Sequence, residues 1–128
     1  MNREQLLPDS GRLPVIEDLA SLVLAAKPLL DVRAPIEFRE GAFPHTINLP
    51  LMNDAERAAI GKRYKDAGQD EAILLGLQLV SGEEKAARIQ AWQNFASQNP
   101  EGALFCFRGG LRSRISQQWL YAETGIAY

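Results

Sequence analysis

Cys106 is the only cysteine among 128 residues, and its neighbours make it the natural place to look for chemistry. It follows the apolar run Ala103-Leu104-Phe105 and precedes Phe107-Arg108-Gly109-Gly110-Leu111-Arg112-Ser113. A buried strand ending in a thiol, a loop with two glycines and a helix opening with arginine and serine together describe an anion cradle. In such a turn the loop N–H groups point inward, and the helix N-terminus adds partial positive charge. The glycines permit the backbone angles that close the loop tightly. The amides from Phe107 through Gly109, Gly110 and Leu111 to Arg112 would bind an oxyanion. Arg112 is suited to holding it bidentately, and Arg108 adds further positive charge. Ser113 is expected to cap the following helix. A thiol so surrounded is favoured as the thiolate and is a good nucleophile. The bland alternative makes Cys106 an ordinary buried strand residue. The convergence of arginines weighs against it, because a structural strand end has little use for them.

Other polar residues can support such a site or merely brace the fold. Asp31 and Arg33 stand at the end of the apolar run Leu29-Leu30. They can orient the cradle, but a structural pair is the stronger reading, with Arg33 within one helical turn of Glu37. His45 is the only histidine. A surface-loop position suits it better than a role as base for Cys106, since an arginine cradle favours a thiolate without one. Asp31 and Glu37 are the acids that a phosphatase reaction would need for its leaving group. Trp92 and Trp119 fall on apolar helix stripes and read as core. Lys62, Arg63 and Lys65 form a basic run that reads as a solvated helix face rather than a contact to nucleic-acid phosphates.

These residues need elements to carry them. Apolar residues at 46% and charged residues at 23% fit one globular domain able to bury its own core without disulfides or metal. A single cysteine excludes an internal disulfide and a thiolate-rich zinc site. A net charge of −2 gives no overall field toward nucleic acid, DNA included, although Arg108, Arg112 and Arg114 form a local basic cluster. No apolar run is long enough for a membrane span, and the first residues lack a secretory pattern, so a cytoplasmic protein is expected. Residues 1–14 read as a lead-in and 15–128 as the domain. The spacing predicts helices over Val15–Lys27, from the Asn53 capping box to Ala67, over Asp70–Val80, and from a second capping box at Ser81. A last helix begins near Arg112. Short strands are predicted over Leu29–Val32, Thr46–Pro50 and Ala103–Phe105, and Gly125–Tyr128 reads as the approach to another. Strands alternating with helices imply an α/β fold with a mostly parallel central sheet flanked by helices.

Leu29-Leu30-Asp31-Val32-Arg33, Glu37-Phe38, Gly41 and Ile47-Asn48-Leu49-Pro50 resemble the first half of rhodanese-like domains. In those domains a cysteine after the central strand carries sulfur or selenium as a persulfide or perselenide. Here the stretch from Cys106 to Arg112 is one residue longer than in common single-domain rhodaneses. It also satisfies the Cys-x-x-Gly-x-x-Arg-Ser pattern of cysteine phosphatases, so a cysteine-dependent phosphatase, an arsenate reductase or a thiosulfate sulfurtransferase stays open. A module that only binds an anion is the non-enzymatic alternative.

The loop from Cys106 to Ser113, the run Asp31–Phe38 and the stretch Ile47–Asn53 closely resemble the tRNA 2-selenouridine synthase family. So do the helical insert from Glu56 to Gly61, Tyr64-Lys65, and Leu75-Gly76 through Leu79-Val80. That resemblance implies a transferase that replaces sulfur by selenium in wobble 2-thiouridine of tRNA, with selenophosphate as donor and a geranylated intermediate. It implies Cys106 as the chalcogen carrier, no bound cofactor or metal, and geranyl diphosphate as a co-substrate of the full-length enzymes. The family adds a P-loop domain whose motif is missing here, and its rhodanese part extends by a further strand and helix. The expectation is therefore an N-terminal fragment, incomplete as an enzyme.

Overall fold

The computed structural model describes residues 19–106 and 110–128. The cradle residues Phe107, Arg108 and Gly109, and the lead-in 1–14, lie outside them. Along the chain run α1 (Leu19–Leu24), β1 (Leu29–Asp31), α2 (Pro35–Glu40), β2 (Thr46–Asn48) and α3 (Asp54–Ala67). There follow α4 (Gln69–Leu79), α5 (Gly82–Gln98), β3 (Ala103–Phe105) and α6 (Leu111–Thr124). The strands form a parallel sheet in the order β2-β1-β3, flanked by helices in a rhodanese-like α/β arrangement.

Leu29, Leu30 and Asp31 of the middle strand are all fully buried. That is how a parallel strand covered on both faces behaves. Alternation sends Leu30 and Leu104 to one side and Leu29, Ala103 and Phe105 to the other. The first side meets the main core of Trp92, Phe95, Ile115, Trp119 and Leu120. The second packs on Leu22, Val23 and Phe43. Trp92 is fully buried and donates its indole N–H to the Leu49 carbonyl at 2.8 Å. Both tryptophans are core, as their stripes predict.

Helix α3 begins as expected. Asn53 Oδ1 accepts from the Glu56 N–H at 2.7 Å, and Glu56 Oε1 accepts from the Asn53 N–H at 2.9 Å. The second predicted capping box does not form. Ser81 Oγ instead donates to the Gln78 carbonyl at 2.8 Å, closing the end of α4 rather than the start of α5. Nor do residues 125–128 begin a strand. Tyr128 turns its ring edge-on to Phe95 and donates its hydroxyl to the Asn99 carbonyl at 2.7 Å. A side-chain anchor there takes the place of a ladder. Helix α1 ends at Leu24, short of the predicted Lys27.

Register fixes where the chemistry lies. Asp31 pairs with Asn48 and Phe105 across the sheet, so all three strands end at one edge. The residues that follow, Arg33, Leu49 and Cys106, emerge there. Open parallel sheets bind their ligands at this edge.

Candidate active site

Strand β3 delivers Cys106 to the sheet's C-terminal edge, and α6 starts just beyond it. Gly110 makes the turn into the helix with φ 73°, a left-handed angle that glycine adopts without penalty. The half-buried Cys106 Sγ accepts the Ser113 N–H at 3.2 Å and lies 3.3 Å from Ser113 Oγ. That hydroxyl donates in turn to the Gly110 carbonyl at 3.0 Å. Ser113 therefore does not cap α6 as predicted. Its free first-turn amide is spent on the sulfur, which lies where the helix end carries its partial positive charge. An anionic sulfur would be met by the Ser113 N–H, and by its hydroxyl once that turns from the Gly110 carbonyl.

Arg112 is turned to Glu37, donating from Nη1 to Oε1 and from Nη2 to Oε2, the latter at 3.2 Å. Arg57, from α3, donates its Nε to Glu37 Oε1 at 3.0 Å. Burial alone would push the Glu37 carboxyl up. The Arg112 hydrogen bonds and the charges of Arg112 and Arg57 outweigh it and hold the carboxyl below its usual range. Arg33 does not bond Glu37, one helical turn away, and the structural pair expected of Asp31 and Arg33 forms instead. Arg33 donates from Nε and Nη2 to Asp31 at 2.9 and 2.7 Å, and from Nη2 to the Gly41 carbonyl at 2.7 Å. The Asp31 hydrogen bond raises the already high pKa of the guanidinium. The Asn48 side chain donates to the Asp31 and Arg33 carbonyls at 3.0 and 2.8 Å, clamping this strand end. Asp31 and Arg33 thus brace the edge from which Cys106 emerges.

His45 is exposed and immediately precedes β2, at the end of the sheet opposite Cys106. The parallel topology excludes it as a base for the thiol. Lys62, Arg63 and Lys65 are exposed on α3. Among the described residues no helix is long and apolar enough to cross a membrane.

Beside the cysteine edge lies a cavity of about 570 Å³ between the insert helices α3 and α4 and the start of α6. Ile60, Ile73, Leu77, Ile115 and Trp119 give it apolar walls, and Glu37, Arg57 and Arg112 supply its polar side. The sequence reading missed Arg57 as a site residue and misassigned Glu37. The one available signal was Glu37's place in the first turn after Pro35.

No protein-family model matches the chain. The N-terminal domain of a Clostridium difficile 630 protein assigned as ATP/GTP binding has a similar crystal structure. The TM-score is 0.62 at 26% identity, covering 77% of this chain and 76% of that one. The tRNA 2-selenouridine synthase of Bordetella bronchiseptica is 61% identical over 111 residues, 87% of this chain. Those of Ectopseudomonas mendocina and Marinobacter nauticus are 60% and 58% identical over 87% and 90% of it. The chain spans only about 30% of the length of these relatives. Over the part it shares with them, it is a relative of the tRNA 2-selenouridine synthases.

Proposed function

We propose that this domain is the chalcogen-handling part of a tRNA 2-selenouridine synthase, replacing sulfur by selenium in wobble 2-thiouridine with selenophosphate as donor. The observation that carries the reading is the Cys106 thiol at the C-terminal edge of a parallel sheet, its sulfur hydrogen-bonded by the Ser113 amide at the start of α6. Cys106 is the nucleophile. With a sulfane donor such as thiosulfate, the thiolate attacks the outer sulfur, an S–S bond forms, and sulfite leaves with the electron pair of the broken bond. The persulfide so formed is anionic, and the helix end and Ser113 suit it. Arg112, the loop amides and Arg108 bind the oxyanion half of the donor.

The substrate acted on is tRNA: the thiocarbonyl sulfur attacks C1 of geranyl diphosphate, an S–C bond forms, and diphosphate leaves with the electron pair of the broken C–O bond. Selenium attacks the C2 carbon, a C–Se bond forms, and the C–S bond breaks with release of geranyl thiol. Water then splits the Se–P bond to leave phosphate. The apolar cavity beside the cysteine edge is of a size for the geranyl chain, being within the range of small-ligand sites.

The rival phosphatase reading needs a proton donor for the leaving group. Asp31 is fully buried and spent on Arg33, and Glu37 is held ionised between two arginines. Neither suits that task.

The test is the intact mass of the chain after incubation with thiosulfate or selenophosphate, with Cys106→Ser in parallel. A reducible gain of one sulfur atom from thiosulfate, absent from the variant, is expected, whereas selenophosphate, whose selenium is already at the selenide level, adds none without an oxidant. A phosphoryl adduct from selenophosphate, or no sulfur adduct from thiosulfate on a folded chain, overturns the reading.

A further inference from the structure

Helix N-termini favour anions, because their partial charge is positive. Helix α6 nevertheless opens with Arg112 and Arg114 and has no acidic residue in its first turn. The counter-charge comes from Glu37, 75 residues earlier in the chain. Both of its oxygens accept from Arg112, which fixes the plane of the guanidinium as well as its distance. Glu37 is itself fixed by Arg57 Nε at 3.0 Å and by the Ala34 N–H at 3.4 Å. The Glu37 and Arg112 side chains are only 12% and 17% exposed, so the pair is largely shielded from water. Arg57 is 41% exposed and closes the cluster from the rim.

We infer that Glu37 is a positioning residue for Arg112, setting its guanidinium plane to meet an oxyanion lodged beside Cys106, with Arg57 fixing Glu37 from the helical insert. The inference rests on the proposed oxyanion cradle and names what orients its arginine. Two guanidinium groups meet the carboxylate, Arg112 from α6 and Arg57 from α3, while Arg33 at the end of β1 adds only a more distant charge, its donors being turned to Asp31 and Gly41. Arg39, on the same helix as Glu37, is turned away to Asp54 at 3.1 Å. With two guanidinium groups bonded to it, the carboxylate stays ionised through mildly acidic conditions, and the geometry it imposes persists until it is protonated.

The experiment is calorimetric titration of the whole 128-residue chain with inorganic phosphate, repeated after alkylation of Cys106 to locate the binding. Glu37→Gln keeps the shape and removes the charge. It is expected to weaken phosphate binding about tenfold, equivalent to about 1.4 kcal/mol. Glu37→Asp should recover part of the loss, and Arg57→Gln should weaken binding about threefold, a smaller share of the same orientation. Wild-type affinity should also fall once the pH drops below the ordinary carboxylate range, while phosphate keeps a single negative charge. Glu37→Gln should show no such fall, a difference that a merely structural role would not produce. Wild-type affinity and pH profile in Glu37→Gln would overturn the inference and leave the cradle standing. If Glu37→Gln does not fold, Arg57→Gln decides, and unchanged affinity there overturns it. No alkylation-sensitive phosphate binding by the wild-type chain would overturn the cradle and the inference together.

Discussion

Replacing Asp31 by asparagine is expected to cost about 3–5 kcal/mol of unfolding free energy, the range for removing one partner of a buried ion pair. Asp31 is fully buried, and its carboxylate accepts from the Arg33 N–H at 2.8 Å, from Nε at 3.0 and 2.9 Å and from Nη2 at 2.7 Å. Asparagine keeps one acceptor and turns its NH2 group toward the guanidinium, donor against donor. At least two charge-assisted hydrogen bonds are lost, at about 1.5–3 kcal/mol each. Arg33, only 6% exposed, is left as a buried cation that has lost its paired carboxylate, although the Gly41 carbonyl still receives it. The two routes to the magnitude agree. Since single domains are stable by about 5–15 kcal/mol, much of the total is at stake. Urea unfolding followed by tryptophan fluorescence measures it. The double variant Asp31→Asn/Arg33→Gln removes the stranded charge and should be more stable than Asp31→Asn alone. A loss below about 1 kcal/mol, or a double variant whose loss is the plain sum of the singles, would refute the account of a coupled buried pair.

Three further outcomes follow from the same structure. Trp92→Phe should lower stability by about 2–3 kcal/mol in urea unfolding, because the Leu49 carbonyl loses its indole donor and a small void opens. Gly110→Ala should cost about 1–2 kcal/mol through its left-handed backbone, since the added carbon would meet Ser113 Oγ only at an ordinary 3.7 Å. The rate of Cys106 alkylation by iodoacetamide should change with it. Glu37 has a folded pKa below its unfolded value, so its stabilising contribution is complete above the ordinary 4.5 and is lost as pH falls through the lowered folded value. The wild-type melting temperature should therefore fall more steeply than that of Glu37→Gln on acidification below about pH 4.5.

The elements that carry the site were legible because their signals are local. The Asn53 and Glu56 capping box, the stripe Ile89, Trp92, Phe95 and Ala96, and the step from Phe105 to Cys106 each depend on residues within a turn or two. The position of Cys106 at the sheet edge follows from strand polarity alone, and so does the exclusion of His45 at the opposite end. Side-chain partnerships were legible only where the choice was equally local. Ser81 had two helix ends within reach and took the earlier one, an outcome that the capping pattern cannot decide. Arg33 had Asp31 and Glu37 as possible partners at similar separations. The turn after β1 places Asp31 against its Nε, with the Arg33 N–H bonded to the same carboxylate, while α2 carries Glu37 toward α6. What lay beyond the sequence was the meeting of Glu37, Arg57 and Arg112 from three elements. No periodicity encodes it, because the distance that matters is set by how α2, α3 and α6 pack around one sheet edge. A reading of the loop from Cys106 to Ser113 singles out the proposed nucleophile, but only the fold shows which carboxylate meets Arg112.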